Sequence, residues 1–246
     1  MRSADDILAL ETIAYELWRA PEVEELDGWQ LRHGYGLTGR ANSAWPRRDD
    51  GRVPLEDKIA RVEAFYRGRG LRPKVQLSPA SEPEGLDDEL AARGYERSAD
   101  ILIETATVQV PEHGSAWEVA LAAEPDELWL EIWLESRGFS PAGREHALKI
   151  LRGSDGDTVF ARAGEAAIGR AVVHAGWTAV GSMVTRPEAR RRGAARALLA
   201  ALAGWACGHG TQLCLNVEET NRPARALYES TGFGPAYAYW YRTLPE

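Results

Sequence analysis

A chain of 246 residues, 44% apolar and 27% charged, is long enough to bury the core of one large domain or of two of about 110 to 130 residues each. Its net charge of -8 excludes a protein built chiefly to neutralise a nucleic-acid backbone, and its nine tryptophans exclude a disordered polymer. Two cysteines, Cys207 and Cys214, allow no disulfide framework and supply no metal-ligand spacing, so no metal is expected.

The opening "MRSADDILALETIAYELW" carries acids where a signal peptide is basic, and no apolar run reaches the roughly 18 residues of a membrane span. A cytoplasmic chain without membrane contact is expected. In the first half the helical pattern "EDKIARVEAFY" stops at "GRG" (Gly68 to Gly70) and is followed by strand "PKVQLS", helix "GLDDELAAR" and strand "ERSADILIETATV". A join is expected within "VQVPEHGSAW" (Val108 to Trp117), dividing the chain into 1–112 and 113–246. Beyond it come strand "WEVALAA" and helices "EPDELWLEIWLESR" and "SPAGREHALKILRG", then strands "DTVFARAG", "AAIGRAVVHAG" and "TAVGSMVT". A basic turn opens a helix with Leu198, Leu199, Leu202, Trp205 and Ala206 on one face, stopping at "GHG" (Gly208 to Gly210). Strand "QLCLNVE", helix "NRPARALYEST" and the aromatic strand "AYAYWYRTL" complete the order. From the last glycine of each helix stop to the glycine of the later Gly-aromatic pair, the spacing is 24 residues in the first half (Gly70 to Gly94) and 22 in the second (Gly210 to Gly232). This is the pattern of a diverged internal duplication in a mixed α/β (α+β) chain.

The basic turn "RPEARRRGAARALL" (Arg186 to Leu199) poses the functional question. A nucleic-acid patch would interleave aromatics, whereas alanines and leucines surround these arginines. A P-loop would end in Lys-Ser/Thr. A turn whose backbone NH groups converge on one anion at a helix start suits the small residues Gly193 and Ala195, with the arginines adding charge.

The stretch "VTRPEARRRGAARALL" resembles the acetyl-CoA signature of the GNAT superfamily of N-acyltransferases, Q/R-x-x-G-x-G/A, here Arg190, Gly193 and Ala195. A second block, "LNVEETNRPARALYESTGF", is similar to the family's later motif at Asn221, Ala224, Leu227, Tyr228, Gly232 and Phe233. The resemblance covers about residues 117 to 246 well and the first half in outline, as in tandem GNAT proteins. It implies two GNAT-like domains, each a mixed, mainly antiparallel twisted sheet flanked by helices. It also implies acetyl-CoA as co-substrate and direct acetyl transfer to a primary amine of a small molecule or a peptide.

By the same resemblance, backbone groups of Met183, Val184 and Thr185 pair with the pantetheine arm, and an NH near Val184 polarises the carbonyl. NH groups of Arg191, Arg192, Gly193, Ala194, Ala195 and Arg196 hold the pyrophosphate. Asn221 bonds the pantetheine arm, Asn216 joins the cofactor contacts, and Tyr228 protonates the departing thiolate. The catalytic carboxylate of many GNAT enzymes is replaced by Asn216 on one strand and Ser182 on the other. Glu218, which shares strand parity with Asn216, is the first candidate base; Glu219, His174 through water, and ordered water alone are alternatives.

In the first half, "RRDDGRVP" stands in place of the arginine turn, and Asp49 and Asp50 would repel a pyrophosphate. Leu90 and Pro83 stand where Tyr228 and Asn221 would match. A degenerate first domain is therefore expected, with "RANSAWP" (Arg40 to Pro46) as part of a roof over the acceptor pocket. Trp129, Trp133, Tyr237, Tyr239 and Trp240 are candidates for an apolar or cation-binding wall. The chain's acidity favours a cationic acceptor. The rival reading is a non-catalytic acyl-CoA-binding module, and nothing in the sequence decides between monomer and homodimer.

Overall fold

The computed structural model describes residues 2–107, 116–209 and 212–245; the expected division at 112/113, and Gly210 of the helix stop, lie outside the described residues. The first half runs α1 (Ala4–Glu16), β1 (Glu22–Leu26), β2 (Trp29–His33), β3 (Ala44–Trp45), α2 (Leu55–Arg67), β4 (Lys74–Leu77), α3 (Leu86–Ala92), β5 (Glu96–Arg97) and β6 (Ile101–Thr107). The second runs β7 (Ala120–Ala122), α4 (Glu127–Glu135), α5 (Arg144–Leu151), β8 (Thr158–Ala163), β9 (Ala167–His174), β10 (Trp177–Thr185), α6 (Ala194–Cys207), β11 (Gln212–Glu218), α7 (Arg222–Glu229) and β12 (Gly234–Thr243).

Local chemistry sets many of these boundaries. Ser3 and Asp6 form a reciprocal capping box at the start of α1. Asp126 caps α4 by accepting from the Trp129 NH at 2.8 Å. The anticipated helical turn at Pro141 is a separate 3-10 turn, Pro141–Gly143, before α5.

The pairing pattern confirms the repeat. β1/β2 and β2/β3 are antiparallel and β3/β4 parallel. Likewise β8/β9 and β9/β10 are antiparallel and β10/β11 parallel. The two repeats do not form separate sheets, because they exchange their last strands. β6 lies between β11 and β12, antiparallel to both, and β12 runs on to pair with β4 and β5. One mixed, mostly antiparallel sheet results, in the order β1-β2-β3-β4-β12-β6-β11-β10-β9-β8-β7.

Helices cover this sheet on both faces. α2 and α3 pack against the first-half strands and the Trp240 side chain, while α6 and α7 pack against the second-half strands through Leu198, Leu199, Leu202 and Tyr228. On the opposite face α1 crosses from one half to the other. Its Ile13, and Leu17 at its C-cap, share a core with Trp129 and Trp133 of α4 and with Ile150 of α5. Gly181 lets α1 come this close, since a β-carbon there would lie 2.2 Å from Leu17 Cδ2. Among the described residues no helix is long and apolar enough to cross a membrane, and no cluster of three or more His, Cys, Asp or Glu is placed to hold a metal.

Candidate active site

The parallel pair β10/β11 opens into a fork. Its partners run from Trp177↔Gln212 to Val180↔Leu215 and stop there. At that point β10 carries an irregularity between Gly181 and Val184, with Ser182 in a left-handed conformation at φ 54°. A non-glycine residue there is strained, and such bulges re-aim a strand. Beyond the bulge Val184 and Thr185 keep their partners on β9, Ile168 and Ala167, and Asn216 to Glu218 keep theirs on β6. The edges of β10 and β11 that face each other are thus left unpaired, a place for an extended ligand to bond as a strand would.

The basic turn lies at the mouth of this fork. After a 3-10 turn at Pro187–Ala189, Arg190 is extended, Arg191 is left-handed at φ 63°, and Gly193 caps α6 at φ 86°. Gly193 offers no side chain to cap the helix, and the first bond into α6 is Ala197 NH to Gly193 O. Among the described residues, NH groups 191 to 196 find no protein acceptor. Six consecutive donors at a helix start form an anion cradle with its charge unanswered by protein groups. Three of the arginine side chains around it are tied elsewhere. Arg186 bridges Glu131 at 2.9 Å and Glu135 at 3.2 Å, Arg190 Nε donates to Thr185 O at 3.3 Å, and Arg196 donates to Ser230 Oγ at 2.8 Å.

Asn221 caps α7, its Oδ1 accepting from the Ala224 NH at 3.3 Å. Two turns on, Tyr228 is buried against α6 and β11, its ring 5.8 Å from that of Phe233. Burial, followed by the nearby charge of Glu104, pushes the Tyr228 phenol up to about 12, above the ordinary tyrosine value. It is therefore firmly protonated at neutral pH. Glu104 is itself buried on β6, which raises its pKa, and Arg225 lies 4.0 Å away.

Glu218 ends β11 as an exposed residue, and its carbonyl accepts from the Asn221 NH at 2.9 Å. His174 lies at the far end of β9, paired with Trp177 where β10 begins, so the fork does not include it. The expected aromatic wall divides. Trp129 and Trp133 are fully buried core residues, because α4 turns its apolar stripe into the sheet, so they cannot line a substrate wall. Trp240 faces α3 and donates to Asp87 at 2.9 Å. Tyr237 and Tyr239 face α1.

The "RANSAWP" segment reaches the fork. Arg40 is buried and donates from NH1 to Asn216 Oδ1 at 3.2 Å and to Ala14 O at 3.1 Å, and from NH2 to the Tyr239 hydroxyl. Asn216 Nδ2 also reaches that hydroxyl, at 3.4 Å. Sequence reading gave this loop a place but missed Arg40 as the contact, since the two partners are 176 residues apart and no local pattern links them. A cavity of about 240 Å³ lies beside the loop, lined by Gly36, Thr38, Asn42, Arg72 and Lys74 among others, but none of its lining residues belongs to the fork. The fork itself is an open cleft with the donors that matter, so it and not the cavity is the candidate site.

Residues 4–242 match the family described as probable histone acetyltransferase Rv0428c, C-terminal. The chain belongs to this family. It is a GNAT-superfamily N-acetyltransferase, similar to the uncharacterised N-acetyltransferase YobR of Bacillus subtilis, with 30% identity over 247 residues covering 97% of this chain and 98% of YobR. In fold it is similar to the GCN5-related N-acetyltransferase of Kribbella flavida, with a TM-score of 0.64 at 18% identity over 100% of this chain and 97% of that one. A tandem GNAT protein of the clavulanic acid biosynthesis pathway shares the fold at a TM-score of 0.55 and 14% identity, covering 83% of this chain and 76% of that one.

Proposed function

We propose that this N-acetyltransferase takes its acetyl group from acetyl-CoA and passes it directly to a primary amine. The observation that carries the reading is the row of free NH donors from Arg191 to Arg196, shaped by the left-handed Gly193. A diphosphate fits such a cradle, and a strand-like arm leading from it fits the unpaired edges of Met183 to Thr185 on β10. Asn216 borders the same fork. In Asn221 the capping bond uses the oxygen, leaving the Nδ2 donors for the arm. The thioester supplies the acetyl group. Tyr228 holds a proton at its phenol oxygen for the sulfur that leaves, a task suited to a group protonated throughout the neutral range. Neither cysteine suits a covalent relay. Cys214 is buried with its thiol pushed up to about 12, and Cys207 lies exposed at the far end of α6. We assign this chemistry to residues 113–246 and a supporting role to 1–112.

A thiol-release assay with acetyl-CoA tests the reading against small amines, amino acids, aminoglycosides and peptides. The name of the matching family, a probable histone acetyltransferase, puts lysine-containing peptides first in that panel. Tyr228→Phe is expected to lower kcat by on the order of 10²-fold while calorimetry finds acetyl-CoA binding unchanged. Tight binding with no release for any amine would instead assign a non-catalytic acyl-CoA-binding module.

A further inference from the structure

The chain has three lysines, and two of them are paired with carboxylates. Lys58 lies 2.7 Å from Asp27 and 2.6 Å from Asp49, and Lys149 lies 3.2 Å from Glu145. Lys74, the first residue of β4, is half-buried yet has no carboxylate or hydrogen-bond partner for its ammonium among the described residues. Its nearest noted contact is the Tyr241 ring, with the centroid 5.4 Å away. Burial, followed by the charge of Arg72, lowers the Lys74 pKa, as happens to a cation whose lost hydration no neighbouring anion offsets. The exposed Arg72 guanidinium likewise has no carboxylate or hydrogen-bond partner among the described residues. In a chain of net charge -8, these two neighbouring cations stand without a counter-charge.

Both residues line the cavity of about 240 Å³ beside the loop between β2 and β3. That loop is shaped from within. Asn42 spends its whole hydrogen-bonding capacity on it: Oδ1 accepts from the NH groups of Gly34 and Gly36, both at 2.9 Å, and Nδ2 donates to Gly34 O at 3.2 Å and Thr38 O at 2.7 Å. Leu37 anchors the loop in the core it shares with α5. Gly39 lets the loop lie against Tyr241, since a β-carbon there would come 3.2 Å from Tyr241 Cζ. Thr38 Oγ1 accepts from the Ala41 NH at 3.2 Å and keeps its own proton to donate. The lining residues thus offer an ammonium, a guanidinium and a hydroxyl donor beside the apolar Leu37 and Leu71. A hollow whose walls are already fixed costs little ordering when a ligand enters.

We propose that this cavity binds a small organic anion, with its carboxylate or phosphate group held by Lys74 and Arg72 and its carbon body lying against Leu37 and Leu71. Such a group returns to Lys74 the hydrogen bonds that burial removed, and it accepts the charge-assisted bonds that ammonium and guanidinium donate. At about 240 Å³, against roughly 30 Å³ for one water molecule in the liquid, the cavity has room for several atoms beyond the charged group. The fork takes no part in this site. Its cradle is made of backbone NH groups after Arg190, whereas the charges here are on side chains of the first half, so substitution can separate the two.

Calorimetry on the full-length protein tests this with inorganic phosphate, acetate, butyrate and glycerol phosphate, comparing the wild type with Lys74→Met, Arg72→Gln and Gly193→Glu. In the expected result butyrate or glycerol phosphate binds with a Kd on the order of 1 mM, more tightly than acetate or inorganic phosphate, and the better of the two identifies the charged group. Arg72→Gln weakens that binding by about tenfold, Lys74→Met abolishes it, and Gly193→Glu, which blocks the cradle, leaves it unchanged. Melting curves check that Lys74→Met folds; if it does not, the exposed Arg72→Gln decides the matter. Binding lost in Gly193→Glu but kept in Arg72→Gln and Lys74→Met assigns the anion to the cradle and overturns the proposal. No saturable heat with any of the four anions overturns it as well.

Discussion

Asn221 concentrates two functions in one side chain. Its oxygen caps an eight-residue helix, and its amide nitrogen, which the cap does not use, is the proposed donor to the cofactor arm. Aspartate preserves the first function and removes the second, since a carboxylate accepts from a helix NH but donates nothing. Asn221→Asp is therefore expected to leave Tm unchanged and to weaken acetyl-CoA binding by roughly tenfold, the equivalent of one lost hydrogen bond of about 1.4 kcal/mol. Asn221→Ala should lose about 1 kcal/mol of stability as well. Equal affinity in wild type and Asn221→Asp, by calorimetry, would show that the residue is a cap and nothing more. Much of the candidate site was legible at this scale, because the turn at Arg190 to Ala195 and the helix start at Asn221 are local patterns whose spacing reflects local geometry. A protonated Tyr228 was legible as the donor to the thiolate, but the upward shift was not, since it depends first on burial and then on the charge of Glu104, which enters from another part of the chain.

At the scale of elements, the first half shows how the same fold closes its own site. The segment from β4 to α3 spans eight residues (78–85), against three (219–221) between β11 and α7. The longer segment folds back over the end of β3, where the Glu82 NH donates to Pro46 O at 2.9 Å and the Glu82 carboxylate accepts from the Asp49 NH at 2.7 Å. The turn before α2 is closed as well. Asp27, at the β1–β2 hairpin, accepts from the NH groups of Arg52 and Val53 and lies 2.7 Å from Lys58 Nζ. Asp27 thus stands where the second half leaves donors free. The sequence pointed to Asp49 and Asp50 as repelling a pyrophosphate; Asp49 is turned to Lys58 at 2.6 Å, and Asp27 was illegible because a hairpin brings it in from an earlier strand pair. One acetyl-CoA per chain is the expected calorimetric stoichiometry. The Lys58 ammonium, aided by the Val53 and Arg52 NH groups, holds the Asp27 carboxyl below the usual carboxylate range. A depressed folded-state pKa adds stability that is complete above the unfolded value of about 3.9 and is lost as pH falls through the folded value. Urea unfolding across this acid range should fall more steeply with pH for the wild type than for Asp27→Asn, and parallel curves would remove Asp27 from the account.

The exchange of β6 and β12 decides whether the molecule can be divided. Periodicity recovered most strands in chain order, but it cannot say which strand lies beside which. That choice depends on contacts between residues far apart in sequence, such as Cys214 opposite Thr105 and Trp240 opposite Leu77. A chain cut at the expected boundary keeps β11 and β12 on one piece and leaves β6 on the other. Removing β6 exposes the edge of β11 from Gln212 to Glu218 and that of β12 from Gly234 to Tyr239, both partly apolar and unprotected by the charged residues that guard β1 at the sheet's outer edge. It also removes α1, which covers Trp133 and Ile150, and Arg40, which holds Asn216 and Tyr239. Residues 113–246 expressed alone, although they carry the whole of the proposed acetyl-CoA site, are thus expected to aggregate or to lack cooperative unfolding. A circular permutant that keeps all strands, or co-expression of residues 1–112, should restore both a single unfolding transition and acetyl-CoA binding. If residues 113–246 alone unfold cooperatively and bind acetyl-CoA with the affinity of the full chain, the exchanged strand is dispensable and the first half is an accessory to the site and not a part of it.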